Sequence, residues 1–262
     1  MQTSLDSILT KKYLITAVVA VITLNLITNL VSQDLAILSG NLTYLPTAGS
    51  FLVLTLLIAF RFGLGGTHGL AWFSFAGYAV SWFIAEVLWI HHELILQEEP
   101  FPSPADIFYV LGYPFLLMFF IAYLQPVRAA ITKKAIAISC IVSVGVLIPS
   151  LYFVLGTVSD ETSFATILGT IYPIFDSLVI IPALIGVVLF FKGQVNLMWS
   201  LVCMGVICLF AADTMFLLGN LDDSYYTGSP VEMLFHLNYV LLSFGVYSHL
   251  VLFEKKNLKI GH

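Results

Sequence analysis

Eight long apolar segments fill most of this 262-residue sequence. A membrane-spanning helix needs about 20 apolar residues, whereas a membrane strand needs roughly ten residues of alternating polarity. Because the segments are continuously apolar, they predict helices rather than strands. We therefore predict an all-α, polytopic membrane helix bundle of about eight spans, forming a single integral membrane domain over residues 1–262. The predicted spans are 13–33, 42–60, 69–90, 105–125, 135–157, 166–191, 197–220 and 234–253.

Composition excludes several soluble classes of protein. Hydrophobic residues make up 60% of the chain and charged residues 10%, whereas about 25% of an average soluble domain is charged. The chain has ten basic and 15 acidic residues. It lacks the excess of basic residues that nucleic-acid-binding proteins use to contact phosphates, so we expect no nucleic-acid partner. The lipid bilayer is the expected surrounding, and the plasma membrane is the predicted location.

The distribution of charge predicts the orientation of the bundle, because translocated loops avoid Lys and Arg. With eight spans, all basic residues fall at one end of the bundle and a group of acids falls at the other end. This division predicts that both termini are cytoplasmic. The basic residues are Lys11, Lys12, Arg61, Arg128, Lys133, Lys134, Lys192, Lys255, Lys256 and Lys259. The opposing acids are Asp34, Glu93, Glu98, Glu99, Asp160, Glu161, Asp222, Asp223 and Glu232.

Four further acids lie inside the predicted spans or at their mouths. A charge at the centre of a membrane helix costs about 2.5 to 3.5 kcal/mol on insertion scales, so such residues usually have a role. The four are Glu86, Asp106, Asp176 and Asp213. Aromatic and polar side chains share their helical faces or their depth, namely Trp82, Trp89, Tyr109, Tyr113, Tyr172 and His236.

These groups predict an outward-facing acidic and aromatic pocket in the outer half of the bundle. A small cation or an amine would suit it, because aromatic faces attract cations as carboxylates do. No predicted span contains Lys, so a retinal Schiff base is excluded. The alternative is that the polar groups bond to one another and hold the bundle together.

A second cluster, His91-His92-Glu93, follows the third predicted span. Imidazole with carboxylate suits zinc or copper, so the cluster predicts a possible divalent metal site outside the membrane. An acidic, solvated loop is the alternative. The sequence identifies no other cofactor.

The run from Pro100 to Tyr109, Pro-Phe-Pro-Ser-Pro-Ala-Asp-Ile-Phe-Tyr, continues to Gly112-Tyr113-Pro114. It resembles the Pro-x-Pro-Ser-x-Ala-Asp-x-x-Tyr and Tyr-Pro pattern of membrane-embedded modules upstream of some bacterial diguanylate cyclases. The similarity covers about residues 70 to 220 and includes Trp82, Glu86 and Trp89, the segment Tyr172-Pro173 to Asp176, and Ala212-Asp213. Within the run, Ser103 is suited to cap a helix whose first turn contains Asp106.

The resemblance implies a sensory role. No cyclase, kinase or coiled coil follows the last predicted span, so we expect output through a separate cytoplasmic or membrane partner. The predicted function is a multi-pass membrane sensory or ligand-binding protein. A membrane enzyme with a metal or acid pair in the outer half remains an alternative, as does a small-solute transporter.

An internal repeat is not predicted. Tyr113-Pro114 and Tyr172-Pro173 recur in two spans that both enter from the outside. A single dipeptide is too little to indicate duplication.

Overall fold

The computed structural model describes residues 2–156, 164–191, 195–221 and 224–260. It is 89% helical, and the described residues contain no strand. Short π-helical and 3-10 turns, His91–Leu96 and Gln125–Ala130, follow the third and fourth helices. The eight α-helices are α1 Gln2–Val31, α2 Gln33–Phe62, α3 Gly66–Ile90, α4 Ala105–Leu124, α5 Lys133–Gly156, α6 Phe164–Phe190, α7 Asn196–Leu221 and α8 Glu232–Ile260.

Eight helices in the described part of the chain are long and apolar enough to cross a membrane. The predicted fold class, a polytopic helix bundle, is thereby confirmed. The chain is an integral, multi-pass α-helical protein.

Helix α2 begins earlier than its apolar run predicts. Ser32 caps it, because the Ser32 side chain accepts a hydrogen bond of 3.1 Å from the Leu35 backbone N–H, and Asp34 lies in the first turn. Both features stabilise a helix N-terminus. Pro46 therefore lies inside the helix rather than at its flank.

Six helices form a closed ring. Going round the ring, α2 contacts α3, α3 contacts α4, α4 contacts α6, α6 contacts α7, α7 contacts α8, and α8 returns to α2. Helix α1 packs outside against α2 and α8, and α5 packs outside against α6 and α7. The burial of the helices is consistent with these peripheral positions. In the most apolar stretch of α1 and of α5, 17% of the residues are buried, whereas the share in the ring helices is 39% to 61%.

Large apolar side chains cover the outside of the bundle. Leu30, Phe60 and Ile141 are 86%, 73% and 70% exposed. Such a surface is stable against lipid chains, where apolar groups need no protein partner. The expected contact with a lipid bilayer is consistent with this surface.

The two ends of the bundle differ in charge. We call the end that carries Asp34, Glu93, Glu98 and Glu99 the acidic end, and the opposite end the basic end. An even number of spans brings both ends of the described chain to the basic end, but which compartment that end faces stays a prediction. The side chains of Lys255, Lys256 and Lys259 are not described. Five further charges that predicted the orientation lie outside the described residues: Asp160, Glu161, Lys192, Asp222 and Asp223.

Candidate functional site

A cavity lies inside the ring at the acidic end. Its empty volume is about 530 Å³ including the part open to solvent, and the centre of a water-sized sphere can occupy about 40 Å³ of it. A buried water needs roughly 10 to 15 Å³ on the latter measure, so the space suits a few waters or a small ligand. The lining residues are Tyr44, Trp82, Glu86, Trp89, Asp106, Tyr109, Tyr172, Asp213, Phe216, Leu217, Tyr225, Glu232 and Phe235.

The lining acid Asp106 is held in place at the start of α4. The Ser103 backbone N–H donates to Asp106 Oδ2 at 2.7 Å, and the Ala105 N–H donates to Ser103 Oγ at 3.2 Å. Ser103 thus bonds to the first turn of α4, although the residue at the N-cap is Pro104 and not the predicted Ser103. From α6, the Tyr172 hydroxyl donates to Asp106 Oδ1 at 2.7 Å. Each carboxylate oxygen has its own donor, which is the arrangement that stabilises the ionised form.

Glu232 has an equivalent position at the start of α8. The Tyr44 hydroxyl donates to Glu232 Oε2, and the Tyr225 hydroxyl donates to Glu232 Oε1. Burial and the neighbouring charge of Glu232 raise the pKa of the Tyr225 phenol well above its ordinary value, so this hydroxyl keeps its proton and donates. Glu232 thus also has one donor for each oxygen.

The other two lining acids, Glu86 and Asp213, come from the last third of α3 and of α7. The Tyr239 hydroxyl donates to Glu86 Oε1 at 2.5 Å. The Tyr113 hydroxyl lies 2.9 Å from Asp213 Oδ2, and it also lies 2.8 Å from Oδ1 of Asp176 on α6. All four lining acids are therefore contacted by tyrosine hydroxyls from other helices of the ring.

Two segments that begin α4 and α8 are alike in sequence. Ser103-Pro104-Ala105-Asp106 and Ser229-Pro230-Val231-Glu232 both place Ser-Pro before an acid in the first helical turn. A buried tyrosine follows each of these acids by seven residues: Tyr113 follows Asp106, and Tyr239 follows Glu232. Each tyrosine contacts an acid on a different helix. This recurrence was not predicted, because it does not involve the Tyr-Pro dipeptides that recur in the two spans.

The helix contacts and hydrogen bonds repeat in the same way. The series α2, α3, α4 and the series α6, α7, α8 form the two halves of the ring. Tyr44 of α2 donates to the first acid of α8, and Tyr172 of α6 donates to the first acid of α4. Tyr239 of α8 donates to the acid of α3, and Tyr113 of α4 contacts the acid of α7. The expectation of no internal repeat is thus corrected: two similar halves face each other across the cavity.

Aromatic rings form much of the remaining wall. The Trp82 indole N–H donates to the Tyr109 carbonyl at 3.1 Å, and the Trp89 N–H donates to Thr227 Oγ1 at 3.0 Å. The indole donors are thus held by the protein, which fixes the ring orientations. Phe216 packs against Trp89 with ring centroids 5.9 Å apart. Rings fixed in this way can present their electron-rich faces to a ligand.

The structure brings together most of the predicted pocket residues. Those that line the cavity are Trp82, Glu86, Trp89, Asp106, Tyr109, Tyr172 and Asp213. Tyr113 and Asp176 do not line the cavity. The Tyr113 hydroxyl contacts Asp213 directly, and it links Asp176 to Asp213 because it contacts both acids. His236 does not line the cavity. Its ring packs against Tyr44 with centroids 4.2 Å apart and planes tilted by 45°, and its Nδ1 lies 3.5 Å from Thr47 Oγ1.

The predicted metal cluster is not assembled as a ligand set. The rings of His91 and His92 are 6.0 Å apart, and His92 Nδ1 lies 2.9 Å from the Leu88 carbonyl. Glu93 instead accepts a hydrogen bond of 2.8 Å from Asn41 of α2. Among the described residues no group of three or more His, Cys, Asp or Glu side chains could hold a metal ion.

Six lining residues were not predicted from the sequence: Tyr44, Phe216, Leu217, Tyr225, Glu232 and Phe235. Glu232 was counted among loop acids because the last apolar run begins only at residue 234. A signal for it was nevertheless present, since Glu232 lies four residues before His236 and seven before Tyr239. At those spacings residues share one helical face.

No protein-family model matches this sequence, and neither curated proteins nor solved structures yield a similar protein. Fold and site together define a multi-pass membrane helix bundle with an acidic, aromatic cavity in its ring.

Proposed function

We propose that this protein binds a small organic cation, an amine or quaternary ammonium, in the ring cavity, and that occupancy is the sensory event passed to a separate partner. One observation carries the proposal. The cavity lining contains four acids, Glu86, Asp106, Asp213 and Glu232, and no Lys, Arg or His. A buried charge needs a partner, and this lining supplies none of opposite sign.

The hydrogen bonds support a negative cavity. Asp106 and Glu232 each receive a donor on both carboxylate oxygens. Donors of this kind favour the charged form of a carboxylate. Burial opposes the same charge. A bound cation would offset it and favour the ionised acids, whereas an anionic ligand would add to the repulsion.

An organic cation suits the lining better than a metal ion does. The described residues contain no group of three metal-binding side chains. Five of the eight lining carboxylate oxygens are contacted by tyrosine hydroxyls and a sixth accepts from the Ser103 N–H, which leaves few oxygens for a coordination shell. Trp82 and Trp89 can cover an ammonium group by cation–π contact, at about 0.5 to 2 kcal/mol per ring.

The sensory part of the proposal rests on the resemblance to membrane modules upstream of diguanylate cyclases. The residues that carry the resemblance overlap the cavity, since Trp82, Glu86, Trp89, Asp106 and Tyr109 belong to both. Ligand binding and the sensory motif would therefore share one set of side chains.

A thermal-unfolding screen of the purified protein in detergent tests the proposal. The probes are small primary amines and tetramethylammonium, with carboxylates of matched size and divalent metal chlorides as comparisons. We expect saturable stabilisation by at least one amine or ammonium and none by the carboxylates. Stabilisation by carboxylates alone, or by metals alone, would overturn the proposal.

The variant Asp213→Asn separates a ligand site from purely structural hydrogen bonding. The change keeps the shape of the side chain and removes its charge. If the site binds cations, the variant should require a higher amine concentration for the same stabilisation. A variant that unfolds at a higher temperature and responds to every amine as the parent does would show that the acid is only a structural hydrogen-bonding group.

A further inference from the structure

We infer that Asp176, Tyr113 and Asp213, here called the Asp–Tyr–Asp cluster, hold one proton when the cavity is empty, and that a cation bound in the cavity displaces it. This inference rests on the proposed function and deepens it, because it makes cation binding a proton-exchange reaction.

The Asp–Tyr–Asp cluster has too few hydrogens for its two contacts when both acids are ionised. The Tyr113 hydroxyl lies 2.8 Å from Asp176 Oδ1 and 2.9 Å from Asp213 Oδ2. Both are hydrogen-bond distances. A phenol has one hydrogen, and an ionised carboxylate can only accept. With both acids ionised, one of the two contacts would bring lone pairs together without a hydrogen between them. One further proton, held on a carboxyl, completes both hydrogen bonds.

The other half of the ring provides an internal comparison. Tyr239 corresponds to Tyr113, and its hydroxyl donates to Glu86 alone. The position of α2 that corresponds to Asp176, one turn after Tyr44, is Ala48, which is 1% exposed. Tyr109 also hydrogen-bonds to Glu86, so two phenol hydrogens serve one acid there and no additional proton is needed. The second acid, and with it the need for a proton, occurs in only one half.

The surroundings of the cluster contain no positive group to replace the proton. Tyr172 on α6 and Tyr78 and Glu86 on α3 are near enough to interact electrostatically with it. These groups are phenols or acids. Among the described residues, the Lys and Arg side chains lie at the basic end, and no Lys, Arg or His acts on either acid of the cluster. Two unprotonated acids would therefore leave an uncompensated charge in a buried site.

Asp213 connects the cluster to the cavity. Its side chain is 8% exposed and lines the cavity, whereas Asp176 is 1% exposed and does not. A cation bound against Asp213 supplies one positive charge, and the cluster then releases one proton through the cavity to water. The single Tyr113 hydrogen then serves Asp176, while Asp213 faces the cation in place of its contact with Tyr113. No covalent bond changes, and the net charge of the site stays constant during the exchange.

Isothermal titration calorimetry tests the exchange directly on the full chain in detergent. The probe is tetramethylammonium chloride, which has no proton of its own to exchange. Titrations at one pH in buffers of different ionisation enthalpy report the number of protons released for each cation bound. We expect a value near one, and a dissociation constant that falls by about tenfold for each unit of rising pH, as linkage requires for one proton.

Two variants locate the proton. In Asp176→Asn the amide can donate to the Tyr113 oxygen, so no additional proton is needed and release should fall toward zero. Asp34→Asn removes an exposed acid at the same end of the bundle and should release protons as the parent does.

The outcomes separate the two proposals. Binding without proton release, at a pH-independent affinity, would overturn the proton site and leave the cation site standing. Proton release retained in full by Asp176→Asn would also overturn it. Failure of tetramethylammonium and every other ammonium probe to bind would instead overturn the proposed function.

Discussion

Replacing Glu232 with Gln should weaken cation binding strongly while the fold is retained. Glu232 begins α8, is 1% exposed and accepts hydrogen bonds from Tyr44 and Tyr225 at the cavity wall. The amide keeps the size of the side chain but removes the charge. One of its two polar atoms becomes a donor, so one tyrosine hydroxyl must turn from donating to accepting.

The expected magnitude follows from the position of the charge. A monovalent cation about 5 Å from the carboxylate, at an effective dielectric constant of about 20, gains about 3 kcal/mol. Loss of that energy raises the dissociation constant by about 100-fold. The altered hydrogen bond should lower the free energy of unfolding by about 0.5 to 1.5 kcal/mol, which is a separate and smaller effect.

Calorimetric titration with tetramethylammonium measures the first effect, and thermal unfolding without ligand measures the second. Glu99→Gln is the matched control, because it makes the same chemical change at an exposed position of the acidic end. Its dissociation constant should change less than about twofold, since exposed charges are screened. Equal affinities of Glu232→Gln and the parent would refute the reasoning, and so would an equal loss in Glu99→Gln.

Two further predictions concern packing and topology. Gly112→Ala should destabilise the bundle by about 1 to 3 kcal/mol in thermal unfolding, because an added Cβ would meet the Trp82 ring; Gly145→Ala, with open space around it, is the control. In a background without the three native cysteines, a cysteine at Glu99 should react with an impermeant thiol reagent on intact cells and one at Lys133 should not. Labelling at Lys133 would contradict the predicted orientation.

The spans could be predicted from sequence because the bilayer fixes their length and polarity. The same argument placed the start of α2 too late, at residue 42 rather than Gln33. Hydropathy does not detect the Ser32 cap or the less apolar turns that follow it. It also assigned Glu232 to a loop, although a helix can begin with an acid before its apolar run starts.

The order of helices in the ring could not be predicted. Which helices are neighbours depends on how their surfaces fit, and a run of apolar residues contains little of that information. The peripheral positions of α1 and α5 are an example, because their hydropathy is as high as that of the ring helices. The depth of an acid was predictable, whereas the tyrosine that would contact it was not.

Similarly, His236 was assigned to the pocket because it shares a helical face with Tyr239. In the structure its ring packs at a tilt against the lining residue Tyr44 and does not itself line the cavity. Shared depth and face bring residues near one another, but the neighbouring helix decides which of them reaches the cavity.

The central claim is that the cavity selects positive charge, and an isosteric pair of ligands tests it most directly. Choline and 3,3-dimethylbutan-1-ol have nearly the same shape, but only choline carries a charge. Equilibrium binding to the purified protein should favour choline by at least about tenfold, since cation–π contact with two rings and the carboxylate charges act on it alone. Equal affinity for the two compounds, or tighter binding of the neutral alcohol, would contradict the account.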